Sequence, residues 1–114
     1  MSKDTGFSIT SAERYSLALF ELSEENNLLS QIEDQSSSVL NLINQSEDFS
    51  SLIKDPTTNQ EDLSKVINKI AENNKFENLF KNFLNFLIQK RRFFFIERIL
   101  KSFIEICSRK RGEL

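Results

Sequence analysis

Between Gly6 and Gly112 the chain contains no glycine, and its one proline is Pro56. A fold rich in tight turns needs residues that adopt positive φ or pre-set a bend, so β-hairpins are disfavoured from the start. Long uninterrupted segments of helical periodicity are what remains. The 114 residues suit one compact domain. Eleven Phe, with 39% hydrophobic residues in all, supply bulk for a core.

Six helical segments can be read from apolar spacing. Ser8, Thr10 or Ser11 caps the first, which runs to about residue 26 or 27. At about 100° per residue, Ala12, Tyr15, Ala18, Leu19 and Leu22 share one arc, and Leu17 and Phe20 lie on another side. A second helix is expected over residues 28–44, burying Leu29, Ile32, Val39, Leu40 and Ile43, with Ser36-Ser37-Ser38 as solvated surface. Residues 48–54 place Phe49, Leu52 and Ile53 at i, i+3 and i+4, and Asp55-Pro56 ends that segment. Thr57, Thr58 or Asn59 opens a fourth helix to about residue 72, with Leu63, Val66, Ile67 and Ile70 on its stripe.

The fifth segment, residues 76–90, is apolar over an arc of roughly 200°, about twice the ~100° of a one-sided surface helix. Phe76, Phe80, Leu84 and Leu87 form one face, and Leu79, Phe83 and Phe86 the next. The last helix, residues 93–109, buries Ile96, Ile99, Leu100, Phe103, Ile106 and Cys107. Of Phe93-Phe94-Phe95, the first and third turn inward. Short connections between these segments predict an all-α, six-helix bundle in one compact domain.

Chemistry is harder to place. The chain has no His, so Ser-His and Cys-His nucleophile pairs and the usual general base are excluded. One cysteine makes neither an internal disulfide nor a thiolate cluster. Paired acids such as Glu24-Glu25, Glu33-Asp34 and Glu61-Asp62 diverge by about 100° on a helix and read as solvated faces. Neither a catalytic centre nor a cofactor or metal site is expected. The apolar run over residues 83–100 is cut by Gln89-Lys90-Arg91-Arg92, so it does not span a bilayer unaided. Charge is uneven: residues 1–57 sum to −7 and residues 58–114 to +5. Lys90-Arg91-Arg92 and Arg109-Lys110-Arg111 fall at helix ends, where cations complement the helix dipole. The remaining signal is surplus apolar width on the first and fifth helices. Side by side, they would form a groove suited to an amphipathic helix.

The order of motifs is also familiar. The stretch Ala12-Glu13-Arg14-Tyr15-Ser16-Leu17-Ala18-Leu19-Phe20-Glu21-Leu22 resembles the A-x-R-Y-A-x-A-L-F opening of the delta subunits of F-type ATP synthases, whose mitochondrial counterpart is the oligomycin-sensitivity conferral protein. Leu52-Ile53-Lys54-Asp55-Pro56 with Lys65 is similar to that family's L-x-x-P and following lysine. Residues 82–93, NFLNFLIQKRRF, resemble its N-F-L-x-L-L-x-x-N-x-R-L, with Lys90 in place of Asn. Glu97 stands where the family often has Pro.

The resemblance implies a non-catalytic stator subunit of a proton-translocating ATP synthase. Residues 1–8 would be a tail, residues 9–110 the six-helix N-terminal domain, and residues 111–114 the start of a linker to an absent C-terminal domain. The implied partner is the N-terminal helix of an α subunit atop the catalytic head. By position, Tyr15, Ala18, Leu19 and Leu22 would line one wall of the groove, and Leu79, Phe83, Phe86 and Lys90 the other. Subunit b of the peripheral stalk would be met only through the C-terminal domain. The chain alone would be monomeric, without nucleic acid. It would meet the membrane indirectly, at the cytoplasmic face of a bacterial inner membrane. The contrasting expectation is a helical scaffold or regulatory protein whose basic C-terminal half binds nucleic acid or anionic lipid, with steep salt dependence.

Overall fold

The computed structural model describes the backbone of residues 3–112 and the side chains of residues 11–112. Among the described residues there are six α-helices and one 3₁₀ turn. The helices are α1 (Lys3–Glu25), α2 (Leu29–Gln45), α3 (Glu47–Lys54), α4 (Gln60–Asn73), α5 (Asn78–Gln89) and α6 (Ile96–Lys110), with the turn at Phe93–Phe95 before α6. The expected all-α bundle is what forms. Its radius of gyration, 13.9 Å, is close to the ~13 Å of a compact domain of this length.

Helix ends explain how the chain manages without glycine. Asn27, Lys75 and Arg91 all have positive φ, 57°, 55° and 59°. Each follows a helix in a Schellman stop: Leu28 N–H reaches Ser23 O, Phe76 N–H reaches Ala71 O, and Arg92 N–H reaches Leu87 O, all at 2.8 Å. Gly112 holds the same position after α6, with φ 74°. The hydrogen-bonding and packing of the stop therefore override the usual glycine preference at three of these four corners. Starts are conventional for α3 and α4. Ser46 accepts from Phe49 N–H, and Asn59, of the three candidates, accepts from Glu61 and Asp62 N–H.

Helix α6 anchors the core. Ile96, Ile99, Leu100, Phe103 and Cys107 have no solvent exposure at all. It packs most extensively on α1 and then on α2. Ser102 accepts from Ser16 at 2.9 Å, and Lys110 lies over the Phe20 ring, so α1 and α6 run in the same direction. At the far end, Arg111 grips Glu33 of α2 with two N–H···O bonds of 2.6 and 3.2 Å.

Four expectations change. Helix α1 is described from Lys3, so the cap candidates Ser8, Thr10 and Ser11 lie inside it; several cap-type residues in a row give no unique start, and Gly6 inside a helix costs only about 1 kcal/mol. Phe20 shares the core-facing side of α1 with Ala12, Ser16, Leu19 and Ser23 and does not lie on a separate side from Leu19, since neighbours about 100° apart both fall within the broad buried arc. Val66 is exposed because α4 packs chiefly on α5, which covers only a narrow strip. Ser36 is fully buried, not solvated, since its place between Ile32 and Val39 puts it on the inner stripe of α2. Its hydroxyl has no hydrogen-bond partner.

An unpaired buried hydroxyl carries a desolvation cost of about 1–3 kcal/mol. Ser36→Ala should therefore stabilise the fold by about 1 kcal/mol. Urea unfolding should show a higher midpoint with an unchanged slope.

Candidate functional site

Helix α5 has no side-chain cap of its own. Its position is set from other helices instead. Gln35 of α2 accepts the Glu77 N–H at 3.0 Å at the start, and Gln60 of α4 donates to the Ile88 and Gln89 carbonyls at 2.8 and 3.3 Å at the end. Helix ends leave backbone groups outside the regular ladder, and these side chains help to satisfy them. Between them runs a polar seam. Ser64 donates to Asn85 at 2.6 Å, and the Asn85 amide donates to Asn68 at 2.8 Å and to the Lys81 carbonyl at 3.0 Å. Sequence reasoning missed all of these, because a Gln or Asn on a half-exposed helix face gives no signal of which distant backbone it will meet.

With α5 so held, its broad apolar arc is mostly consumed. Phe80, Phe83, Leu84, Leu87 and Ile88 are buried. Phe86 is not; it stays 42% exposed. The Tyr15 ring of α1 meets it edge-on, with centroids 6.2 Å apart, and Lys90 Nζ lies 5.7 Å from the Phe86 centroid. A cation over an aromatic face at this range is attracted by the ring quadrupole, by about 0.5–1 kcal/mol when exposed.

The eight residues singled out from sequence therefore separate. Tyr15, Ala18 and Leu22 form one stripe on α1, with Tyr15 half-buried, Ala18 exposed and Leu22 44% exposed. Leu79, Phe86 and Lys90 line the α5 side, Leu79 half-buried and Lys90 exposed at the helix C-cap. Leu19, at 0%, and Phe83, at 6%, belong to the core. Phe86 is the link between the two sides, meeting both Tyr15 and Lys90.

Elsewhere the chemistry is quiet. No group of three or more His, Cys, Asp or Glu that could hold a metal ion occurs among the described residues. None of the described helices is long and apolar enough to cross a membrane. Burial pushes the Cys107 thiol up from its ordinary 9.0 to about 11, with the Glu33 carboxylate adding to the shift and Arg111 opposing it. The folded chain thus holds this proton more tightly than the unfolded one. The resulting stabilisation is complete below about pH 9 and is lost as pH climbs through about 11. Ellman's reagent at pH 8 should label Cys107 only after denaturant is added.

Known proteins match this sequence over most of its length. The model of the family described as "ATP synthase delta (OSCP) subunit" matches residues 12–114. An ATP synthase subunit delta of Pelagibacter ubique (strain HTCC1062) is 60% identical over 114 residues, covering 100% of this chain and 62% of that protein. The ATP synthase subunit delta of Rhodospirillum rubrum is 31% identical over 103 residues, covering 90% of this chain and 55% of its own length. The chain therefore spans somewhat more than half the length of these relatives. With the match running through all six helices, the chain belongs to the ATP synthase delta (OSCP) subunit family.

Proposed function

We propose that this chain is the head-binding part of a non-catalytic stator subunit of an F-type ATP synthase. In this reading it receives the N-terminal helix of an α subunit along the face shared by α1 and α5. The observation that carries the proposal is the exposed apolar strip there, with Leu22 and Phe86 each more than two-fifths exposed and Tyr15 packed on Phe86. An amphipathic helix would cover this strip with residues at i, i+3, i+4 and i+7. Ala18 gives its backbone close approach. Phe86 and Leu22 serve as apolar anchors above the buried Leu19 and Phe83, and Lys90 attracts an acidic side chain on the partner.

Such a role needs tight attachment without chemistry, so that the catalytic head stays static against rotor torque. A standard interface of ~800 Å² per partner suffices when its anchors pack well. Attachment to the peripheral stalk belongs, in the same proposal, to sequence beyond the six helices. Association with the membrane follows from the complex, as a peripheral component at the cytoplasmic face.

Isothermal titration with a peptide of the α subunit's N-terminal ~20 residues tests this directly. One-to-one binding is expected, and it should weaken little between low and high salt because burial of apolar surface dominates. Ala18→Asp should lower affinity by about 100-fold or more, since a carboxylate would be buried without a partner, while circular dichroism stays unchanged. Binding that collapses with salt would favour the basic C-terminal half as the working surface. Unchanged affinity in a folded Ala18→Asp variant would remove the groove assignment.

A further inference from the structure

Lys90 and Arg91 are neighbours in sequence but serve different faces. Lys90 lies over Phe86, whereas Arg91 lines a cleft of about 250 Å³ at the corner between α3, α4 and the turn before α6. Its apolar lining comes from Leu52, Leu63, Ile88 and Phe93, with Pro56 and Phe94 at the rim. Phe94 is 56% exposed, the highest exposure of any large hydrophobic side chain among the described residues. Ligand pockets commonly begin near ~300 Å³, so this cleft has room for one large side chain and little more.

We propose that this corner docks a short acidic segment of another chain that inserts one aromatic or aliphatic side chain and places a carboxylate against Arg91. Charge decides the occupant. The cleft lining contains two charged groups, Asp55 and Arg91. Asp55 stays anionic, since the Thr57 N–H at 2.9 Å and the Thr57 hydroxyl at 2.6 Å both bond to one of its oxygens and hold its pKa below the ordinary value; it offsets one positive charge, and the run Lys90-Arg91-Arg92 leaves the corner net positive. Arg91 is exposed, and its guanidinium has no hydrogen-bond or ion-pair partner among the described residues. Lys90 and Arg92 on either side add to its positive field. Gln60 already satisfies the Ile88 and Gln89 carbonyls beside the cleft, so the free polar valence there is a cationic donor. A guanidinium beside an apolar slot is suited to a carboxylate next to a Phe or Leu.

Arg91 also provides a clean variant. Its φ of 59° is the left-handed conformation that glycine adopts freely, so Arg91→Gly removes the guanidinium and preserves the Schellman stop. The probe is the pentapeptide acetyl-Glu-Leu-Phe-Glu-Glu-amide, with acetyl-Gln-Leu-Phe-Gln-Gln-amide as its neutral counterpart, titrated into ¹⁵N-labelled chain. Shifts should centre on Thr58, Leu63, Ile88 and Phe94. Affinity should fall about fivefold for Arg91→Gly, for the neutral peptide and in high salt, as expected for loss of one exposed ion pair. Phe94→Ser, at an exposed position, should weaken binding of both peptides. Shifts centred on Tyr15 and Phe86, no saturable shifts, or equal affinity in the Arg91→Gly variant would each overturn the proposal. The docking of a helix on α1 and α5 is tested separately, because that face would respond at different residues.

Discussion

Everything in this domain hangs on the desolvation of α6. Five of its side chains lose all contact with water, each such burial contributing roughly 1.5–3 kcal/mol before entropy is set against it. Against α1 the approach is close because small residues meet there: Ser16 bonds Ser102, and Ser23 is buried without a partner. The Arg111–Glu33 fork then ties the end of α6 to α2. Once α6 has claimed Ala12, Leu19 and Phe20, the opposite edge of α1 has nothing of its own chain to cover it.

That leftover edge becomes interesting only because α5 lies beside it. Helix α5 is held by Gln35 and Gln60 at its two ends and by Asn85 along its flank, so its rotation about its own axis is set by hydrogen bonds rather than by apolar contacts alone. The rotation that results buries Phe83 and leaves Phe86 against Tyr15 in water. A rigid apolar strip bordered by Lys90 is what a stator protein needs in the proposed role: a surface pre-shaped for one partner helix, on a scaffold that does not have to move. Pre-organisation of this kind reduces the ordering cost of binding.

Much of this was legible from the residues. Apolar periodicity found all six helices, because burial repeats every 3.6 residues whatever the side chain chemistry. Periodicity also identified α1 and α5 as the helices with surplus width. It failed where polarity and position disagree. Ser36 was read by its hydroxyl, although its spacing from Ile32 and Val39 already placed it inside. Val66 was read by its spacing, although α4 has one main neighbour and a narrow contact strip. Which members of a broad arc stay outside, Phe86 but not Phe83, depends on helix rotation. Here that rotation is set by long-range hydrogen bonds that no local pattern encodes. Phe94, the odd member of a triple Phe run, was left unexplained by helix geometry and proves to rim the cleft beside Arg91.

The central claim is that the face shared by α1 and α5 is where a partner helix docks. The most direct test is a nuclear magnetic resonance footprint of the α-subunit N-terminal peptide on the isotope-labelled chain. The account predicts saturating shifts along Tyr15, Ala18 and Leu22 on one side and Leu79, Phe86 and Lys90 on the other, with the buried α6 residues undisturbed. A footprint confined to the basic turn and α6, or one that leaves Phe86 unchanged at saturation, would contradict it.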